Sequence, residues 1–247
     1  MINGQRLIGS KWYNNGNVYL PYSGRDEDVI LRLFKGYIRL VCPEFIIDDS
    51  NFQVIESLVN IAAGKAQRNG LILRGACGVG KTALLKIWLK FRLVVLSPFD
   101  GKRITTLNDR DRNRVLKIVF LDPSTLISRF AKEGYSFFEN HFGDILFIDD
   151  LGLTTNVNHF GTITNILEEL IYCRYSKTKE LPTCELYGTT NLTSLQLAEL
   201  IGERAISRIM EMASWNEGLL QGPDRRKSEN YLKQWPTLMS EVTKLSN

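Results

Sequence analysis

The sequence predicts an α/β protein built around a parallel β-sheet. Short apolar segments typical of buried strands, at residues 70–74, 117–121 and 144–150, alternate with longer segments whose apolar residues have helical spacing. A further strand is expected at residues 184–191. Because successive parallel strands need a crossover connection, usually a helix, this alternation favours one sheet covered by helices on both faces.

The part of the chain before the first of these strands is expected to hold a small extension and one helix. Residues 1–45 are rich in Tyr, Asn and Gly and follow no clean period. We therefore assign them to an N-terminal extension, in which a hairpin precedes a helix from Glu27 to Leu40. The run Asp48-Asp49-Ser50 then supplies N-cap residues for a helix at residues 51–68.

The remaining elements continue the alternation. We expect a helix from the end of a glycine-rich segment to about residue 95, a mobile insertion at 97–115, and a helix from Pro123 to about Gly134. The later elements are helices at 162–175, 194–201 and 203–212, a polar loop at 176–182, and a last strand within 214–220. Residues 227–247 are left as a C-terminal tail.

The glycine-rich segment directly after the first sheet strand matches the phosphate-binding pattern G-x-x-x-x-G-K-[ST]. The match comprises Gly75, Ala76, Cys77, Gly78, Val79, Gly80, Lys81 and Thr82. Its glycines let successive backbone N–H groups surround a phosphate anion at a helix N-terminus. Lys81 can then reach the β- and γ-phosphates, and the Thr82 hydroxyl can be a ligand for Mg²⁺. The segment therefore predicts nucleotide binding together with Mg²⁺.

Two carboxylates follow the apolar strand that ends at Ile148, in the pattern of a Walker B motif. A parallel strand delivers its last residues to the sheet edge where the phosphate loop lies. Asp149 is then placed to hold Mg²⁺ directly or through water, and Asp150 to orient or deprotonate an attacking water. The alternative is a strand that simply ends in an acidic turn.

Further polar residues near the end of the chain are candidates for the same site. Asn191 closes the fourth strand, where its amide could bridge the attacking water and the γ-phosphate, or could cap the next helix. Thr189 and Thr190 are adjacent candidates. Arg204 and Arg208 are four residues apart and so share one helix face. Without further context, such arginines are usually solvated or ion-paired.

Composition favours an ordinary globular protein of a reducing compartment. The hydrophobic fraction is 44%, and no uncharged apolar stretch approaches the ~20 residues that span a membrane. The N-terminus has no apolar core of the signal-peptide type. The four cysteines have neither C-x-x-C spacing nor a nearby His pair, which argues against zinc and against a disulfide framework. We therefore expect a cytoplasmic protein with no membrane partner.

The net charge of +4 is small, but basic residues are concentrated in two segments. Residues 102–117 contain six basic side chains against two acidic ones, and Arg225, Arg226 and Lys227 follow Asp224. Basic segments can neutralise nucleic-acid phosphates, or can simply be solvated loops.

In their order along the chain, these motifs resemble a known family. The phosphate loop is followed by Ile148-Asp149-Asp150-Leu151-Gly152, by Gly188-Thr189-Thr190-Asn191-Leu192 and by Gly202-Glu203-Arg204 with Ser207-Arg208. This combination is similar to the AAA+ ATPases of the bacterial helicase-loader branch, the DnaC-like proteins and the IstB-like transposition ATPases. The resemblance covers about residues 45–226.

The resemblance implies a RecA-like core of five parallel strands at residues 46–226, hydrolysis of ATP with Mg²⁺, and assembly into a homo-oligomeric ring or spiral. Arg208 matches the family's arginine finger, which completes the site of a neighbouring subunit, and Arg204 would be a helper one turn earlier. A finger of this kind can be worth about 10³–10⁵ in rate.

The sequence departs from the family pattern in two places. Asp150 stands where most AAA+ proteins have Glu, and a shorter acid suits a slow switch better than a motor. Only 39 residues follow Arg208, which is too few for a strand and a full helical lid. A sensor arginine on such a lid is therefore not expected, although Arg225 or Arg226 could take its place.

The leading hypothesis is an ATP-dependent helicase loader of a phage or other mobile element, which binds single-stranded DNA and a replicative helicase. The N-terminal aromatic residues would contact the helicase or pack as a small core. The alternative is a transposition-regulating ATPase that coats duplex DNA and recruits a transposase. A small-molecule kinase would leave Asp150, Asn191 and Arg208 without a common role, and a nucleotide-binding adaptor without turnover stays open.

Overall fold

In the described residues, at least one helix lies between successive strands of a parallel sheet. The computed structural model describes residues 5–8, 11–14, 17–19, 26–43, 45–92, 118–139, 145–153, 156–159, 162–180 and 184–225. The insertion expected at 97–115, the basic segment at 102–117, Arg226 and the tail at 227–247 lie outside these residues.

The strands and helices of the described residues are named in chain order. The strands are β1 (Gln5–Ile8), β2 (Lys11–Asn14), β3 (Asn17–Tyr19), β4 (Gly70–Arg74), β5 (Ile118–Leu121), β6 (Ile145–Ile148), β7 (Asn156–His159), β8 (Thr162–Asn165) and β9 (Leu186–Thr190). The helices are α1 (Glu27–Val41), α2 (Asp49–Ala63), α3 (Lys81–Phe91), α4 (Pro123–Glu133), α5 (Ser136–Glu139), α6 (Ile166–Glu180), α7 (Ser194–Ile201) and α8 (Glu203–Met212).

A four-stranded parallel sheet in the order β4–β9–β6–β5 forms the centre of the described fold. Its side chains alternate between two apolar clusters. Ile145 and Phe147 of β6 belong to the cluster that contains α1, α2 and α3, whereas Leu146 and Ile148 belong to the cluster that contains α4, α6 and α8. The sheet is therefore covered on both faces, as the alternation of elements predicts.

The prediction of a fifth strand is wrong, because residues 214–220 pair with the sheet only at isolated bridges. Ser214 and Leu219 each lie parallel to β4, opposite Leu71 and Arg74. Between them, residues Asn216–Gly218 form a 3₁₀ turn. A Cβ on Gly218 would lie 1.8 Å from the carbonyl oxygen of Ile72, so the turn packs directly on the strand and interrupts the ladder.

Two predicted helices have different bounds in the structure. α2 ends at Ala63 and not at residue 68, because Gly64 adopts a left-handed conformation with φ of 72° and closes the helix. α6 begins at Ile166 and not at residue 162. Residues 162–165 pair with β7 as an antiparallel hairpin, and the Asn165 side chain accepts a hydrogen bond from the Glu168 N–H at 3.3 Å. The helix then continues to Glu180 through most of the expected polar loop.

The N-terminal region contains an antiparallel sheet of β1, β2 and β3, one strand more than the expected hairpin. α1 follows and contacts α2 and α3, where the Phe34 and Trp88 rings meet edge to face with centroids 5.0 Å apart. The division at residue 45 stays a prediction. No helix among those described has the length and apolarity required to cross a membrane.

Candidate nucleotide-binding site

The order of the strands brings the predicted motifs to one edge of the sheet. The phosphate loop follows β4, the two carboxylates follow β6, and Asn191 follows β9, which lies between them. Since all these strands are parallel, their carboxyl ends meet at the same edge, which is where open α/β sheets bind ligands.

The phosphate loop passes directly into α3, whose first residue is Lys81. No side chain caps this helix, in contrast to α1, α2 and α4, which Asp26, Asp48 and Asp122 cap. Backbone N–H groups at an uncapped helix N-terminus suit an anion. Gly75 has φ of 144°, and a Cβ there would lie 2.1 Å from the Leu220 carbonyl oxygen, so this position requires glycine.

Lys81 is buried, and its ammonium group lies inside the loop. Its Nζ donates to the carbonyl oxygens of Gly75 and Ala76 at 2.7 and 2.8 Å, and to the Asn191 Oδ1 at 2.5 Å. The Asn191 amide in turn donates to the Cys77 sulfur at 3.1 Å. The loop and the end of β9 are therefore joined through one charged side chain.

Asn191 does not cap the next helix, so that alternative is wrong. The N-cap of α7 is Thr193, whose side chain accepts a hydrogen bond from the Gln196 N–H, while the Gln196 side chain accepts one from the Thr193 N–H. The Asn191 side chain points to the phosphate loop and not to α7.

Hydroxyl and carboxylate oxygens meet where the sequence predicts a metal. The Asp149 Oδ1 accepts hydrogen bonds from the Thr82 hydroxyl at 2.8 Å and from the Thr189 hydroxyl at 2.6 Å. Oxygen donors of this kind suit Mg²⁺, which takes one or two protein ligands beside substrate phosphates and water. The residues present therefore fit a magnesium ion held by Thr82 and Asp149.

Asp150 lies beside this pair with an exposed side chain and an unusual backbone. Its φ is 48°, in the left-handed region that Asp tolerates better than most residues. Its N–H donates to the Thr189 hydroxyl at 2.9 Å. Thr189 thus holds both carboxylate residues, through the side chain of Asp149 and the backbone of Asp150. Thr190 has a different role, because its hydroxyl donates to the Leu151 carbonyl oxygen.

The electrostatics of this edge include one cation that the sequence did not single out. Burial lowers the pKa of Lys86 on α3, while the carboxylates of Asp149, Asp122 and Asp150 oppose that change. Burial also opposes ionisation of Asp122, but hydrogen bonds from Ser124 and Thr125 outweigh it and lower the Asp122 pKa. Lys86 is therefore a partly buried counter-charge for the acidic residues of the site.

Among the described residues, neither candidate arginine of α8 bonds to the phosphate loop of its own chain. Arg208 bonds to Tyr175 of α6 and Glu211 of α8. Among the described residues, Arg208 forms no hydrogen bond or ion pair with the loop, Asp149 or Asp150. Arg204 is exposed one turn earlier, and within the same residues it forms no hydrogen bond or ion pair.

Arg225 does lie at the loop, but its guanidinium is turned away from it. Its backbone N–H donates to the Gly78 carbonyl oxygen at 2.9 Å. The side chain runs to the start of α2, where it bonds to Asp48 and Ser50 and lies over the Phe45 ring. The sensor role considered for Arg225 stays a prediction.

Sequence reasoning missed several residues that support the candidates. Lys86, Tyr175 and Glu211 carried no motif, and Thr189 stood out only as a neighbour of Asn191. The i, i+3 spacing of Arg208 and Glu211 is a local signal for an ion pair on one helix. The contact of Tyr175 with Arg208 joins two helices and has no local signal.

Comparison with known proteins supports the fold. The chain is similar to the crystal structure of the DnaC helicase loader at 20% sequence identity and a TM-score of 0.50, over 76% of this chain and 99% of that one. It is also similar to AMPPCP-bound DnaA from Aquifex aeolicus at 14% identity and a TM-score of 0.50, over 80% of this chain and about half (55%) of DnaA.

No protein-family model matches the sequence, and no curated protein matches it significantly. At such low identities, the structural likeness concerns the fold and not the residues of the site. It agrees with the helix-flanked parallel sheet of the described residues. The chain therefore has a parallel α/β fold similar to that of the DnaC helicase loader, in agreement with the fold class that the sequence predicts.

Proposed function

We propose that this chain is a Mg²⁺-dependent ATPase that loads a replicative helicase onto single-stranded DNA. The observation that carries the ATPase part is the meeting of three separate strand ends. Thr82 contacts Asp149, and Lys81 contacts Asn191, across 67 and 110 residues of sequence. The AMPPCP-bound state of the similar DnaA structure supports a nucleoside triphosphate as the ligand.

In this proposal the loop residues 75–82 bind the triphosphate through backbone N–H groups, and Lys81 exchanges its carbonyl partners for the β- and γ-phosphates. Mg²⁺, held by Thr82 and Asp149, would neutralise charge on the β- and γ-phosphate oxygens. These interactions bind ATP within a single subunit.

Hydrolysis in the proposal requires Asp150, Asn191 and the arginine of a neighbouring subunit. Asp150 orients the attacking water and accepts its proton, while Asn191 holds the water against the γ-phosphate. The water oxygen bonds to phosphorus as the bond to the β-phosphate oxygen breaks, which yields ADP and phosphate. Arg208 of the adjacent copy stabilises the charge that develops, and Arg204 assists it. Arg208 bonds to Tyr175 and Glu211 and, among the described residues, not to its own loop, which supports action between subunits.

The loader role is inferred from the order of the motifs and from the likeness to the DnaC helicase loader. The N-terminal region, residues 1–45, is the proposed contact with the helicase, and a cytoplasmic protein of a mobile element is the proposed context. A transposition ATPase that prefers duplex DNA and recruits a transposase would use the same site, so the preferred DNA form is the deciding measurement.

The test measures ATP turnover and oligomeric state for wild type, Arg208→Ala, Asp150→Asn and an equimolar mixture of the two variants. Each is measured alone, with single-stranded DNA and with duplex DNA. We expect each variant to bind ATP and to lose turnover, and the mixture to recover part of it. Stimulation by single-stranded DNA supports the loader.

Two results would contradict this proposal in different ways. If monomeric Arg208→Ala had wild-type turnover, the proposal of a site shared between subunits would be wrong, and a kinase or an adaptor would be favoured. Preferential stimulation by duplex DNA, with the shared site intact, would keep the ATPase and replace the loader with the transposition ATPase.

A further inference from the structure

We propose that Tyr175 and Glu211 are positioning residues that hold the Arg208 guanidinium ready for the neighbouring subunit's nucleotide. This inference rests on the proposed function, because it presupposes that Arg208 acts between subunits. It adds two residues that belong to none of the motifs.

The three side chains contact one another between α6 and α8. The Arg208 guanidinium lies over the Tyr175 ring, with 4.1 Å between its carbon and the ring centroid. Its Nη1 donates to the Tyr175 hydroxyl and to the Glu211 Oε1, each at 2.8 Å. The Tyr175 hydroxyl donates to the other Glu211 oxygen, Oε2. Each member of the cluster therefore contacts both of the others.

The way in which Arg208 is held leaves part of its guanidinium available. Both hydrogen bonds use Nη1, and among the described residues Nη2 and Nε have no hydrogen-bond partner. The Arg208 side chain is 30% exposed. Two donors in a fixed fork match the geometry with which arginine binds phosphate oxygens. The cluster therefore fixes the orientation of the side chain without occupying its phosphate-binding edge.

Fixing this side chain has a physical benefit for catalysis. A free arginine loses rotamer freedom when it docks on a phosphate, and an arginine that is already held loses less. Stacking on Tyr175 sets the plane of the guanidinium, and the hydrogen bond to the Glu211 carboxylate sets the orientation of the guanidinium within that plane. The effect should be seen in turnover, since the finger acts on the charge of the transition state, and not in ATP binding.

A purely structural role is the competing explanation, because exposed ion pairs often contribute little more than local packing. The chain offers a matched control on α4. Arg129 pairs with Glu133 at 3.2 Å and lies over the Phe137 ring at 5.3 Å from its centroid, so it also combines an arginine, a glutamate and an aromatic ring, away from α8. Loss of that pair should leave turnover unchanged.

The experiment compares Glu211→Gln, Tyr175→Phe and Glu133→Gln with wild type and Arg208→Ala. It measures the Kd for ATP, kcat and KM in the assembled state, and the midpoint of thermal unfolding. We expect Glu211→Gln and Tyr175→Phe to lower kcat by about 10-fold, as misplacement of a catalytic group does, with the Kd for ATP within about 2-fold of wild type. Tyr175→Phe keeps the ring and so tests the hydroxyl without opening a cavity.

Mixed assemblies separate positioning from structure. Asp150→Asn subunits carry an intact Arg208 and an inactive site of their own. Mixed with Glu211→Gln subunits, they should supply a correctly held finger and raise turnover per active Glu211→Gln site towards wild type. A structural defect in the Glu211→Gln subunit would not be corrected in this way.

Three results would overturn the inference and are distinguishable from failure of the proposed function. Glu211→Gln could turn over like wild type while Arg208→Ala is inactive. Glu211→Gln could lose turnover with no recovery in the mixture. Either variant could turn over faster than wild type, which would mean that the cluster restrains the finger. Wild-type turnover by Arg208→Ala would instead refute the proposed function itself.

Discussion

Lys81 donates a hydrogen bond to the side-chain oxygen of Asn191, with 2.5 Å between Nζ and Oδ1, although 110 residues separate them in sequence. The same ammonium group bonds to two carbonyl oxygens of the phosphate loop. A bound phosphate would therefore replace the carbonyl oxygens as the partner of the lysine. In the proposed function, the Asn191 side chain would then lie beside the γ-phosphate.

Asn191→Ala is expected to lower ATP turnover by about 10², the loss typical of one preorganised donor, with a smaller change in the Kd for ATP. Turnover and equilibrium binding of a fluorescent ATP analogue check this. Thr193→Ala is the control, because it removes the cap of α7 at a cost of about 1 kcal/mol and leaves the site intact. Equal loss of turnover in both variants would mean that Asn191 acts through α7.

The backbone conformation of Asp150 predicts which substitution at this position removes turnover without destabilising the fold. With φ of 48°, this position favours Asn and Gly over other residues. Asp150→Asn should therefore lose turnover and keep wild-type stability, whereas Asp150→Ala should lose turnover and about 1 kcal/mol of unfolding free energy. An ATP turnover assay measures the first effect, and urea unfolding measures the second. Equal stability of the two variants would contradict the backbone argument.

Thr189 is expected to support the proposed magnesium site by holding the Asp149 carboxylate. Its buried hydroxyl donates to Asp149 and accepts from the Asp150 N–H. Thr189→Val should raise the Mg²⁺ concentration needed for half-maximal turnover by about 10-fold, as loss of an outer partner of a metal ligand does. It should also cost about 1–3 kcal/mol, because it leaves a donor unsatisfied. Thr189→Ser keeps the hydroxyl and should resemble wild type in Mg²⁺ dependence.

Asp48 predicts a pH dependence of stability. A hydrogen bond from Ser50 and the charge of Arg225 lower the pKa of Asp48 below its ordinary value of 3.8, against the effect of partial burial. A carboxylate with a lowered pKa in the folded state stabilises the fold above its unfolded pKa, and that contribution disappears as the pH falls through the folded pKa.

Asp48→Asn keeps a cap for α2 and removes the charge. We expect wild type to be more stable than this variant at pH 7, and the difference to shrink as the pH falls below about 4. Urea unfolding at several pH values measures the difference. Asp49→Asn, an exposed acid in the first turn of the same helix, is the control for general charge effects. If the difference in unfolding free energy between wild type and Asp48→Asn did not change with pH, the ion pair of Asp48 with Arg225 would be excluded as its source.

Elements whose signals are local follow the sequence closely. The helices predicted at 194–201 and 203–212 have those bounds in the structure, because Thr193 caps the first and Gly202 separates the two. The phosphate loop is likewise a local pattern, in which a strand, glycines and a helix start lie in one continuous segment.

Elements whose form depends on partners elsewhere do not follow the sequence as closely. Residues 162–165 have an ambiguous pattern and become a strand because β7 pairs with them. Residues 214–220 are predicted to include a strand, but the 3₁₀ turn at Asn216–Gly218 packs on β4 and breaks the ladder. Pairing across the chain decides both outcomes, and periodicity within a segment does not encode it.

The sequence by itself determined which residue types the site contains, since the phosphate loop and the two acids are contiguous motifs. Only the tertiary structure decided which of them touch. Placing β9 between β4 and β6 brings Asn191 to Lys81 and Thr189 to Asp149, and packing α6 on α8 brings Tyr175 to Arg208. Such contacts depend on strand order and helix packing, and these are set by the burial of apolar faces over the whole chain and not by any short segment.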